Sequence, residues 1–183
     1  MKHHQNTFLI FLSIIVISLS FSSSLYAENM VYAPIYEDHI PYCNEIANTA
    51  QSYADAENAE LISSLDMVDA SASALFIVAH GTPSGILSAD GSTISWTEVI
   101  STAVENGVKT LVVDTCSSGS AIITAQHMKL TVPIEIFTSS DVDEPSRAEA
   151  GGTSVFSQMW IDDCIASYNA GGMDITPQYA VFH

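Results

Sequence analysis

From residue 74 onward, short continuous apolar runs alternate with segments of helical spacing. Ala74-Leu-Phe-Ile-Val-Ala79 has strand length and stops at His80-Gly81. Thr-Pro-Ser-Gly at 82–85 and Ala-Asp-Gly-Ser at 89–92 supply turn chemistry. Residues 93–106 are amphipathic, and Ser95 followed by Glu98 forms a capping box. Gly107 stands where a helix C-cap belongs. Thr110-Leu-Val-Val-Asp114 predicts a second buried strand leading to Cys116, 120–129 a short helix, 132–137 a third strand and 153–168 a further helix. Residues 170–173 read as a loop, and 175–183 as a tail that adds an edge strand. Earlier in the chain, Ile46, Ala50, Tyr53, Ala54, Leu61 and Leu65 predict one or two helices over 43–66. Residues 28–42, with Pro34 and Pro41, predict an extended arm or an edge strand. Apolar strands alternating with helices predict one α/β domain over 28–183, with a mainly parallel sheet covered on both faces.

The first 27 residues have a different pattern. Lys2 and two histidines precede a nearly unbroken apolar run from Phe8 to Phe21, then small and polar residues ending Leu25-Tyr26-Ala27. This is the layout of a secretory signal peptide, and the run is short of the roughly 20 residues a spanning helix needs. The expected location is therefore exported, in the periplasm or secreted.

Composition narrows the partners. Four Lys+Arg against 21 Asp+Glu give a formal charge of −17. Nucleic acid and anionic membrane surfaces both reward basic patches, so neither is an expected partner of the domain after signal cleavage. The three cysteines, Cys43, Cys116 and Cys164, are an odd number for an exported chain, so at least one is left without an internal partner. A Cys43–Cys164 disulfide is one possible pairing, and it leaves Cys116 free. The cysteines and histidines show no paired ligand spacing, so no metal is expected, and hydrolysis by a Cys–His pair requires no cofactor.

The candidate chemistry lies at two strand ends. Ligands and catalytic groups of parallel α/β sheets gather at the carboxyl ends of the strands. His80 follows the 74–79 strand and Cys116 follows the 110–114 strand, 36 residues later, enough for a crossover helix between parallel neighbours. A thiol is mostly protonated at neutral pH, and an adjacent imidazole takes that proton and later returns one to a leaving amine. The helix start at 117–120 and the Gly81 N–H are candidates to hold an oxyanion, glycine allowing close approach. Either residue alone has an ordinary explanation, His80 as a structural histidine and Cys116 as a buried inert thiol. Asp114 is as readily a turn cap as a pocket residue. Ser118 lacks the glycine two places earlier that a nucleophile elbow requires.

The block Leu75-Phe-Ile-Val-Ala-His80-Gly81, followed by Leu111-Val-Val-Asp114-Thr-Cys116-Ser-Ser118-Gly119, resembles the caspase-like (caspase–hemoglobinase) cysteine peptidases. His80-Gly-Thr-Pro83-Ser-Gly85, Cys116-Ser-Ser-Gly-Ser120 and Phe137-Thr-Ser-Ser-Asp141-Val-Asp-Glu144-Pro-Ser146 are similar to stretches of the legumain branch. Asp114-Thr-Cys-Ser-Ser-Gly is also close to the metacaspase motif. The resemblance covers roughly residues 74–160 and implies a three-layer α/β/α sandwich. It implies Cys116 as nucleophile, His80 as general base and acid, and Gly81 and Cys116 N–H groups as the oxyanion hole. It further implies Asp114, Ser139 and Asp141 around a specificity pocket that accepts Arg, Lys or Asn of a peptide or protein substrate. The chain departs from the family in having Ser after Cys116 and no evident opening strand, Met30–Tyr36 being the one candidate. That gap motivates an alternative, a secreted pseudoenzyme that binds peptides without cutting them. Transfer of the acyl group to an amine instead of water is also open.

Overall fold

The computed structural model describes residues 28–37, 39–148, 152–162 and 177–183. The predicted signal segment, Cys164 with its possible disulfide, and the end of the 153–168 helix lie outside the described residues.

Six strands form one sheet. In chain order they are β1 (Glu28–Tyr32), β2 (Glu60–Ile62), β3 (Ala72–Val78), β7 (Thr110–Asp114), β8 (Ile134–Thr138) and β9 (Gln178–Phe182). Their spatial order is β2-β1-β3-β7-β8-β9, parallel except for β9, which runs antiparallel to β8. Between β3 and β7 the chain makes a small antiparallel sheet of β4 (Gly81–Thr82), β5 (Gly85–Leu87) and β6 (Thr93–Ser95). Four helices accompany the strands: α1 (Cys43–Glu57), α2 (Trp96–Glu105), α3 (Gly119–His127) and α4 (Val155–Ile161).

The apolar runs of β3 and β7 are explained by burial on both faces. Leu75, Ile77, Leu111 and Val113 share one core with Trp96, Val99 and Ile100 of α2 and Ala121 and Ile122 of α3. Phe76, Val78 and Val112 point the other way, into a core with Ala50, Tyr53 and Ala54 of α1 and Phe156 and Met159 of α4. The two helical layers thus follow from the period-2 alternation of the strands.

Several local expectations hold. Ser95 caps α2, its hydroxyl accepting from the Glu98 N–H at 3.2 Å. Gly107 adopts φ +76°, the left-handed conformation of a helix-ending glycine. The tail forms edge strand β9. Other elements differ. The arm at 28–42 contains β1, which overlaps the Met30–Tyr36 candidate and is an interior strand between β2 and β3 rather than an edge strand. The helical pattern over 43–66 ends early, because Asn58 turns left-handed at φ 50° and its N–H closes on the Ala54 carbonyl. Leu61 then belongs to edge strand β2, where it is exposed, rather than to a second helix. The turn-rich text at 82–95 conceals the β4–β6 sheet.

Candidate active site

The β3–β7 ladder pairs Val78 with Asp114. His80 and Cys116 each lie two residues beyond that pair, so the register carries both to the same rim of the sheet. With Asp114 they line one cleft of about 450 Å³, with Tyr42 and Ile46 of the α1 region and Ser146 and Ser154 after β8 among its other walls. Glycine is required at 81, because a Cβ there would sit 2.0 Å from the Cys116 carbonyl oxygen and 2.4 Å from Thr115 Oγ1. The backbone after β3 therefore rests directly against the backbone of the cysteine turn.

The imidazole is oriented by the main chain. His80 Nε2 lies 2.7 Å from the Pro41 carbonyl oxygen. A carbonyl only accepts, so Nε2 carries a proton, and in the neutral ring the lone pair a general base needs is then on Nδ1. The Tyr36 ring stands at 5.1 Å from the imidazole, tilted by 51°.

Cys116 is half-exposed and free. Its Sγ accepts the Ser146 N–H at 3.3 Å. Hydroxyl groups hold the turn. Ser139 and Ser140 both donate to the Thr115 carbonyl, at 3.2 and 3.1 Å, and Thr115 donates to the Cys116 carbonyl at 3.0 Å. Ser117 adopts a left-handed φ of 55°, and its N–H donates to the Glu144 carbonyl at 2.8 Å.

The helix start cannot serve as an oxyanion hole. The Ser118 N–H donates to Ser140 Oγ and the Gly119 N–H to the Ser140 carbonyl, while the Ser120 N–H turns back to Ser117. Gly81 is placed differently. Antiparallel ladders alternate bonded and non-bonded pairs, and the Leu87 N–H donates to the His80 carbonyl at 2.9 Å. The next pair, Gly81 with Ile86, is therefore a non-bonded one, and the Gly81 N–H faces away from β5.

Asp114 forms the cleft floor and is buried. Tyr53 donates to its carboxylate at 3.2 Å, Ser146 at 3.0 Å, and Ser154 through a further short bond. Burial pushes its pKa up, and these hydroxyl bonds oppose the rise. Burial and the neighbouring Asp114 hold the Tyr53 phenol far above its usual range, so it stays a donor. The other two predicted pocket residues differ. Ser139 is buried beside the cysteine turn, its hydroxyl hydrogen-bonded to the Asp114 carboxyl and 3.4 Å from Ser146, whereas Asp141 is exposed on the loop after β8, where its carboxylate accepts the Val142 N–H. Neither lines the cleft. Ser118 is fully buried, which removes it as a nucleophile.

Tyr53, Ser146 and Ser154 reach Asp114 from positions 32 to 61 residues away, and Pro41 acts through its backbone, so none carries a local sequence signal. Among the described residues no cluster of His, Cys, Asp and Glu could hold a metal, and no helix is long and apolar enough to cross a membrane.

The raised Asp114 pKa has a consequence for stability. The folded protein keeps this proton to a higher pH than the unfolded chain, whose carboxyl titrates near 3.8. Folding takes up a proton between those two values, so the contribution to stability is complete below about pH 4 and is lost as pH climbs through the folded-state value. Denaturation midpoints measured upward from about pH 4 are expected to fall in the wild type and to stay flatter in Asp114→Asn. Parallel curves would show that Asp114 is not the group responsible.

No protein-family model matches this chain, and no curated protein is significantly similar to it.

Proposed function

We propose that this protein is a cysteine-type endopeptidase of caspase-like, three-layer α/β/α fold, exported by its first 27 residues, that hydrolyses peptide bonds with a Cys116–His80 dyad. The observation that carries the reading is the β3–β7 register, which brings a half-exposed thiol and an imidazole of suitable tautomer to one cleft over a buried carboxylate.

The reaction follows from these groups. His80 Nδ1 takes the Cys116 proton, and Sγ attacks the substrate carbonyl carbon. The oxygen becomes an oxyanion facing the Gly81 and Cys116 N–H groups. When the C–N bond breaks, the imidazolium gives its proton to the leaving amine, and a thioester remains. Water, deprotonated by the same imidazole, then releases the acid and restores the thiol. The steps need no cofactor.

The floor suggests the substrate side chain. An ionised Asp114 surrounded by neutral hydroxyls is costly in a buried site, and an entering guanidinium or ammonium group supplies the missing counter-charge. An Asn side chain would donate its amide there. Arg, Lys or Asn just before the cut bond is therefore expected. Because β1 is present, the gap that motivated an idle binding domain is absent.

Reporter peptides with Arg, Lys, Asn or Ala before the leaving group test this reading. At least about tenfold faster release from one of the first three than from Ala is expected, which corresponds to roughly 1.4 kcal/mol of transition-state discrimination. Iodoacetamide should stop the reaction by alkylating Cys116. Equal, background-level release from all four peptides would reject the assignment.

A further inference from the structure

The hydrogen bonding where β3 passes into β4 is irregular in one respect. Antiparallel partners in a bonded pair normally exchange two N–H···O bonds. In the His80–Leu87 pair only one is direct, from the Leu87 N–H to the His80 carbonyl at 2.9 Å. The other passes through a side chain. The His80 N–H donates to the Tyr36 hydroxyl at 3.1 Å, and that hydroxyl donates to the Leu87 carbonyl at 2.7 Å. One phenol oxygen is thus wedged into the ladder at the residue that carries the imidazole. The same tyrosine ring packs beside that imidazole. Five residues further on, the chain presents the Pro41 carbonyl to Nε2. Tyr36 and Pro41 therefore hold His80 at three places: its backbone N–H, the side of its ring and a ring nitrogen.

From this geometry we infer that Tyr36 is a positioning residue for His80, its hydroxyl holding the start of the β4–β5 ladder open by one oxygen so that the imidazole keeps its place in the cleft it shares with the cysteine. The inference rests on the peptidase reading for its purpose, though not for its geometry. Burial raises the Tyr36 pKa, so the phenol keeps the proton it donates to Leu87. Removing the hydroxyl has two physical outcomes. The ladder closes to a direct His80–Leu87 bond, which draws the histidine backbone toward β5, or the His80 N–H loses its partner. Both disturb the backbone from which the imidazole projects.

Tyr36→Phe keeps the ring and removes only the oxygen. The rate of Cys116 alkylation by iodoacetamide reads the thiol–imidazole pair without any peptide, so it separates this inference from the choice of substrate. Three further proteins complete a cycle: wild type, His80→Ala and the double variant. A fall of about fivefold or more in alkylation rate is expected for Tyr36→Phe in the wild-type background, with no further fall in the His80→Ala background. With a working reporter peptide, kcat should drop by a similar factor while KM stays within about twofold. An equal loss in both backgrounds, or no loss in either, overturns the inference. Absence of peptide cleavage in the wild type would reject the peptidase reading and leave the alkylation cycle to decide on Tyr36. Should Tyr36→Phe fail to fold, amide exchange in the wild type decides. His80 N–H protection matching interior β3 is expected, and exchange at the rate of an exposed loop overturns the wedge.

Discussion

Cys116→Ala is expected to eliminate peptide cleavage, lowering kcat/KM by roughly a thousandfold or more, while the protein folds as before. The size of the loss follows from the role: without the sulfur no thioester forms, and only whatever catalysis the rest of the cleft supplies remains. The small structural effect follows from the contacts. Cys116 is half-exposed, and its sulfur accepts a single backbone N–H, from Ser146 at 3.3 Å. Loss of one such bond costs about 1 kcal/mol. His80→Ala should be nearly as damaging, and the double variant no worse than either single change, because the two groups act as a unit. A melting curve recorded beside the reporter assay checks both halves of the expectation. Residual cleavage within about tenfold of wild type would remove Cys116 from the mechanism.

The second large effect is expected at Gly81. An alanine methyl there would overlap the Cys116 carbonyl oxygen at 2.0 Å, Thr115 Oγ1 at 2.4 Å and Thr115 Cβ at 2.8 Å. None of these atoms is the free end of a flexible side chain. Thr115 is buried, and its carbonyl is held by Ser139 and Ser140. Relief of the overlap therefore requires the rims of β3 and β7 to part. Gly81→Ala should lose about 1–3 kcal/mol, a fall of roughly 2–4 °C in Tm for each kcal/mol in a chain of this size. Its alkylation rate at Cys116 should fall too, since His80 precedes the displaced residue. A variant as stable and as reactive as the wild type would contradict the close contact of the two strand ends.

The legible parts of this fold were those in which one short segment contains its own physical reason. Leu75 to Val78 reads as a buried strand because a sheet covered on both faces leaves no polar position in that run. The α2 start was legible because Ser95 and Glu98 meet within one helical turn. The end of α1 at Asn58 also had a signal, since asparagine tolerates the left-handed conformation that stops a helix, but the apolar residues beyond it continued the helical spacing. Edge strand β2 had none. It is three residues long, and Leu61 faces solvent, so neither alternation nor a continuous run could mark it. The same division runs through the site. His80 and Cys116 were visible as strand-end residues, whereas Ser139 is buried under the cysteine turn, reaching Asp114 from beside the cleft, and Asp141 is exposed on the loop that follows. Ser146 and Ser154 come into the cleft on the following segment.

Amino-acid order alone determined that strands alternate with helices, that their faces are buried, and that a thiol and an imidazole terminate two of those strands, because each is a matter of neighbouring side chains and backbone period. Tertiary structure decided the rest. The pairing of Val78 with Asp114, the convergence of Tyr53, Ser146 and Ser154 on one carboxylate, and the Tyr36 and Pro41 oxygens on His80 all join segments far apart in the chain. Such contacts form only when burial of the two apolar cores brings those segments together.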